Sequence, residues 1–235
     1  NTDGTLSGGV SAGGATGVRG TATTGDGVDD TISFPIPSLT QGKIRAVFYR
    51  LRTSTDEYVW SSGSSSGAPG LELYSGGSAI VSFIGATGMS GSGGVRTPPF
   101  AISTGIHEVV FEWWSNGYRL TVDQAVVDYV ASGCTFPATP TSLGVFYRTA
   151  GGYYANVTLC ELMVWNAPGT QTANRQLYEG SYGWIENKAN PHCKDISDQY
   201  PLGTDRVSSS GCVLALDMET LTVDGKLKDF SGQGN

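Results

Sequence analysis

The sequence predicts an all-β fold, a two-sheet antiparallel jelly-roll sandwich with one short helix near the end of its body. Three observations predict it. Short apolar–polar alternations recur about every 8–15 residues, the habit of strands rather than helices. Glycine, 34 of the 235 residues, punctuates those runs at roughly twice its usual share. Almost no stretch carries apolar residues at helical spacing, and only 15% of residues are charged, which excludes coiled coils and helical bundles.

The elements follow in order. Lys43–Leu51 sets Ile44, Ala46 and Phe48 on one face. Tyr58–Ser61, Leu71–Tyr74 and Ala79–Ile84 are short runs between Gly- and Ser-rich turns. In Ile106–Trp114 the residues His107, Val109, Phe111 and Trp113 form the more apolar face, which leaves Trp114 as the outward ring. Tyr118–Asp123, Ala125–Val130, Leu143–Arg148 and Val157–Trp165 bring the total to about ten strands. A helix is expected over Thr172–Glu179, capped by Thr172 and stopped by Gly180. After Ile185 the charged residues become about twice as dense. The chain therefore divides into a body (1–185), a loop-like connector (186–211) and a strand-like segment (212–235) in which Leu214, Leu216 and Met218 alternate.

Composition narrows the function. Disorder is excluded by 39% hydrophobic and 10% aromatic residues. No apolar run approaches the ~20 residues of a membrane span. The net charge of −7 without a basic cluster argues against nucleic acid and anionic lipid. Cys134, Cys160, Cys193 and Cys212 form an even set with no C-x-x-C spacing. In a Gly/Ser/Thr-rich chain they suggest two disulfides with three possible connectivities, local order favouring Cys193–Cys212 and Cys134–Cys160; buried free thiols are the alternative. Asn156-Val157-Thr158 is a glycosylation acceptor triplet. These features, with a start at Asn1 rather than methionine, lead to the expectation of an extracellular, cell-surface or virion-surface protein.

Several segments resemble a family. Thr23–Ile32, with Gly25-Asp26-Gly27-Val28-Asp29-Asp30, is similar to the F-D-G-V-D-D-Y-V segment of laminin-G-like domains of the concanavalin A-like lectin/glucanase superfamily. Ile106–Phe111 followed by Tyr118–Asp123 resembles that family's W-H-H-V-A…L-Y-V-D-G pair, with Gln124 in place of the usual turn glycine. Glu161–Asn166 and Thr172–Tyr182 resemble its last strand and closing helix. The family's opening L-x-L-x-F-D strand and D-S-S-G-N-G-N-x-G-T-L turn are split here. Leu214–Met218 and Asp229–Asn235 carry the front half, and Asn1–Gly9 the remainder. The resemblance thus implies a circularly shifted domain whose first strand lies at its C-terminus.

A body without that strand has a bare sheet edge. Burying Leu214, Leu216 and Met218 is worth about 1.5–3 kcal/mol each, comparable in sum with the ~5–15 kcal/mol stability of a domain. The strand is expected to be donated to a neighbouring copy, giving head-to-tail assembly of a non-catalytic structural subunit into a filament or surface structure. The alternative is a monomeric carbohydrate-binding adhesion module with the tail folded back in cis; a period of a tandem array is the third option.

The chemistry of an enzyme is mostly missing. No Glu-x-Asp-x-Glu strand exists, and Glu108 and Glu112 read as solvent-facing carboxylates on an outer sheet face. His107 and His192 make neither a triad nor a zinc site, and Gly63–Gly67 reads as a flexible turn. The chain is therefore expected not to be an enzyme. Calcium is the one cofactor suggested: Asp26, Asp29 and Asp30 supply hard oxygens, with Asp229 near the restored turn, and the resemblance implies a site there. Surface glycans would stack on exposed aromatics, of which Trp114, Tyr153, Tyr154 and Trp60 are the candidates, with Tyr58 beside them.

Overall fold

The computed structural model describes residues 5–8, 15–17, 20–62, 69–123, 125–148, 153–168, 212–216 and 226. In chain order the strands are β1 (Thr5–Ser7), β2 (Ala15–Gly17), β3 (Gly20–Thr24), β4 (Thr31–Pro35), β5 (Gly42–Arg50), β6 (Glu57–Ser62), β7 (Gly70–Tyr74), β8 (Ser78–Ser82) and β9 (Phe100–Ala101). They continue as β10 (Gly105–Trp114), β11 (Gly117–Val122), β12 (Ala125–Val130), β13 (Ser142–Val145), β14 (Tyr147–Arg148), β15 (Tyr153–Tyr154), β16 (Val157–Trp165) and β17 (Cys212–Leu216). The expected all-β sandwich is present. One sheet runs β1-β4-β13-β6-β7-β8-β9 and the other β12-β11-β10-β5-β16-β3-β2, with β17 also on β16; β14 and β15 form a separate ribbon. The expected helix at Thr172–Glu179 lies outside the described residues.

Alternation explains the interior. Ile44, Ala46 and Phe48 of β5 meet Val109, Phe111 and Trp113 of β10 and Leu159, Leu162 and Val164 of β16 in one core between the sheets. Strands β1 to β4 were only partly legible, because Gly- and Thr-rich runs alternate weakly. Leu143–Arg148 is not one strand. Phe146, at φ 68° with its ring in the core, ends β13 and turns the chain into the β14–β15 ribbon. Where Gln124 replaces a turn glycine, Asp123 takes the left-handed conformation itself, at φ 44°.

Two expectations about the eight-stranded sheet are corrected. Glu108 and Glu112 are fully buried on its outer face, not solvent-facing. Burial is tolerated because each is paired: Arg45 on β5 bridges Glu108 and Glu161, and Arg119 binds Glu112. Lys43 lies over the Trp165 ring at 4.2 Å, in register beside Glu112. Nor does Cys134 pair with Cys160; both are buried, in different clusters. Cys134 belongs to the core between the sheets, whereas a bulge between Leu159 and Glu161 places Cys160 in a second cluster with Ala22, Val47 and Ile106. The other pair, Cys193–Cys212, reaches outside the described residues.

The C-terminal strand is completed within the chain. β17 pairs with β16, Leu214 opposite Val164 and Leu216 opposite Leu162, and Val213 is buried in the core. β3 pairs with the other half of the same flank, at Thr158 and Leu159. Both pieces run antiparallel to β16, so segments from opposite ends of the sequence share one strand position. Met218 lies outside the described residues.

Candidate functional site at the rim of the sandwich

The ends of β3 and β15 meet at one end of the sandwich. Gly25, just after β3, donates its N–H to the Val157 carbonyl. The following loop reaches Asn156, whose side-chain Nδ2 donates to the Asp26 carbonyl at 3.3 Å. Gly27 stands at φ 77°, a left-handed conformation that favours glycine, and packs beside the Arg52 guanidinium and Asn156. The 25–30 loop is thereby held against Ala155–Val157, the segment just after β15.

The loop's carboxylates cluster. One oxygen from each of Asp26, Asp29 and Asp30 lies within 4.8 Å of the others. Asp26 Oδ1 accepts the Val28 N–H at 2.7 Å and Asp30 Oδ2 the Asp26 N–H at 2.8 Å, a folded Asx-type turn. Burial raises the Asp30 carboxyl above its ordinary value of 3.8; the Asp26 N–H opposes this, and the charges of Asp26 and Asp29 add to it. Asp26 and Asp29 are exposed. Asp229 lies outside the described residues.

Beside the loop stands an aromatic surface. Tyr153 is 39% exposed and its ring packs at 6.2 Å from Tyr58, which is buried. Tyr154 is half-buried and pairs in register with Tyr147. Beneath them Glu57 is fully buried, and its Oε1 accepts from Arg52 Nε at 2.6 Å, Thr55 Oγ1 at 3.1 Å and Asn156 N at 3.3 Å. Glu57 Oε2 has no partner among the described residues.

The other two aromatic candidates separate from this rim. Trp60 is corrected outright: at 1% exposure it is core, because β6 has both faces covered and no ring there reaches a ligand. Trp114 is half-exposed as expected, but pairs with Gly117 at the far end of β10. Gly105 and Arg50 mark the near end, next to Val157. At ~3.3 Å per residue, Trp114 is about 30 Å from the rim.

Sequence reasoning named the aspartates and Tyr153 separately but had no signal that joined them. Asn156 was flagged only as a glycosylation acceptor; the structure makes it a half-buried clamp whose amide nitrogen is engaged. Arg52 and Glu57 went unremarked, since a single Arg and Glu near a turn carry no local pattern. An aromatic face packs against the C–H side of a pyranose ring, and neighbouring carboxylates accept from its hydroxyls.

No family model matches the sequence, and no curated protein matches it. Solved structures do share the fold. The binding domain of botulinum neurotoxin serotype G gives a TM-score of 0.57 at 7% identity, covering 81% of this chain and 48% of that one. The binding domain of botulinum neurotoxin DC, in complex with SialylT, gives 0.56 at 7% identity over 76% and 46%. Trypanosoma rangeli sialidase gives 0.52 at 12% identity over 70% and 28%. The chain thus spans about half, or less, of the length of these proteins. At such identities the likeness concerns the fold alone, a β-sandwich.

Proposed function

We propose that this chain is an extracellular carbohydrate-binding, lectin-like module that is not an enzyme, with its tail folded back in cis. The observation that carries the reading is the Asn156–Asp26 clamp, which brings an exposed tyrosine and a carboxylate cluster to one rim. Proteins of the same fold bind such ligands: one structure contains SialylT, and another concerns neurotoxin type C and its interaction with two ganglioside molecules. Pairing of β17 with β16 of the same chain favours this reading over strand donation between copies.

The test is a glycan array probed with the full chain, wild type and Tyr153→Ala. Binding that falls about tenfold in the variant, equivalent to ~1.4 kcal/mol, supports the reading. No glycan signal from a folded wild type overturns it. Asp26, Asp29 and Asp30 would hold a hard cation such as calcium beside the platform, since their oxygens are close and mutually repulsive. Repeating the array with calcium and with a chelator tests this separately. Equal binding in both removes the cation and leaves the lectin reading standing.

A further inference from the structure

The outer face of the seven-stranded sheet continues the rim. Leu71 and Leu73 of β7 belong to the core, so Glu72 and Tyr74 stand on the opposite, outer face. Register carries that face onto both neighbouring strands. Glu72 is opposite Tyr58 of β6 and Ile80 of β8, and Ser82, two residues after Ile80, bridges to Arg96. Tyr58, Glu72, Tyr74 and Arg96 therefore share one surface. Tyr58 is also the ring on which the exposed Tyr153 packs, which joins this surface to the rim.

The polar groups there are within reach of solvent. Glu72, Tyr74 and Arg96 are half-buried. Tyr74 lies diagonally from Tyr58, roughly 7–8 Å away along the sheet, and its hydroxyl donates to the Glu72 carboxylate. Burial first, then the Glu72 charge, raises that hydroxyl above its ordinary value of 10.0, so the ring stays neutral. Arg96 Nε has no partner among the described residues, and this donor is not spent on a neighbouring strand.

We infer that this face binds an extended chain of neutral sugars, running from Tyr153 across Tyr58 and Glu72 to Tyr74 and Arg96. This rests on the lectin reading and deepens it: the ligand is a linear oligosaccharide rather than one terminal sugar. Tyr153 and Tyr74, set apart on the surface, each offer ring area to the C–H side of a pyranose. Glu72 accepts from hydroxyls between them and Arg96 donates. Charge selects a neutral chain. One carboxylate and one guanidinium cancel along the strip, while Asp26, Asp29 and Asp30 at the Tyr153 end repel an acidic one.

The test is isothermal titration calorimetry of the full chain with cello-, xylo- and malto-oligosaccharides from monomer to hexamer, beside oligogalacturonates as the acidic comparison. At least one neutral series should bind about tenfold or more tightly as it lengthens. Tyr74→Ala should abolish that gain and leave the affinity of the shortest bound sugar unchanged, whereas Tyr153→Ala should weaken every length. Arg96→Ala, judged by the same gain, replaces Tyr74→Ala if that variant fails to fold. A neutral series that gains nothing with length, or a gain that survives in the folded variants, overturns the inference and leaves a single-sugar lectin. Acidic oligomers that bind more tightly than neutral ones overturn it too. Folded wild type that binds no neutral oligomer also overturns it, and the lectin reading falls with it only where the glycan array is silent as well.

Discussion

The side-chain amide of Asn156 donates to the backbone carbonyl of Asp26, residues 130 positions apart, and this bond ties the aspartate loop to the segment that follows the Tyr153–Tyr154 strand. Asn156→Ala is expected to leave the fold intact, at a cost of about 0.5–1.5 kcal/mol. The loop should loosen, so amides of residues 26–30 exchange faster and glycan affinity falls with them. Hydrogen exchange read by mass spectrometry checks this. Unchanged protection in the loop would show that other contacts hold it.

Asp30 links the rim to pH. Its carboxyl titrates above the ordinary value in the fold, chiefly through burial. Its contribution to stability is therefore complete below the unfolded value of 3.8 and is lost as pH rises through the raised folded value. Asp30→Asn keeps an oxygen for the Asp26 N–H and removes the charge. The variant should gain melting temperature relative to wild type at pH 7 and lose that advantage near pH 3. An advantage confined to acid would refute the assignment.

Arg50 is a second element to test. It is buried, and burial lowers its pKa, yet its guanidinium donates to the carbonyls of Arg52, Ile102, Ser78 and Tyr74, tying β5 to the β7–β8 hairpin and the end of β9. Arg50→Met is expected to cost about 3 kcal/mol or more in chemical denaturation. Arg50→Lys should recover little, since a single ammonium cannot reproduce the planar fork.

The Arg45–Glu108–Glu161 triad predicts strong non-additivity. Arg45 loses solvation on burial, but Glu108 and Glu161 more than offset this and hold it firmly protonated. Arg45→Met alone strands two buried carboxylates and should cost about 3–5 kcal/mol, whereas adding Glu108→Leu and Glu161→Leu should restore most of it. Additive losses in the triple variant would contradict a coupled network.

Deleting residues 212–235 removes Val213 from the core and bares the β16 flank from Leu162 to Trp165. Insolubility, or a denaturation midpoint well below that of the full chain, is expected; Val213 alone accounts for about 1.5–3 kcal/mol. A soluble truncation with the same midpoint would make the strand dispensable.

The sequence by itself determined the strands that alternate strongly. Ile44, Ala46 and Phe48, or Val109, Phe111 and Trp113, reveal their face because a strand repeats every two residues. Ala125–Val130 was legible to the residue as a Val- and Tyr-rich run despite its bulge, and the carboxylates of the 25–30 loop could be read directly. Tertiary structure alone decided what each face meets. Glu108 alternates correctly whether its face is wet or dry, and only Arg45 and Glu161, brought in from other strands, make burial tolerable. Trp60 was a rim candidate until both faces of β6 were covered, and Cys134 and Cys160 were neighbours in order but not in space. The join between Asp26 and Asn156 belongs to the same class, because a contact between distant residues leaves no periodic trace in a chain.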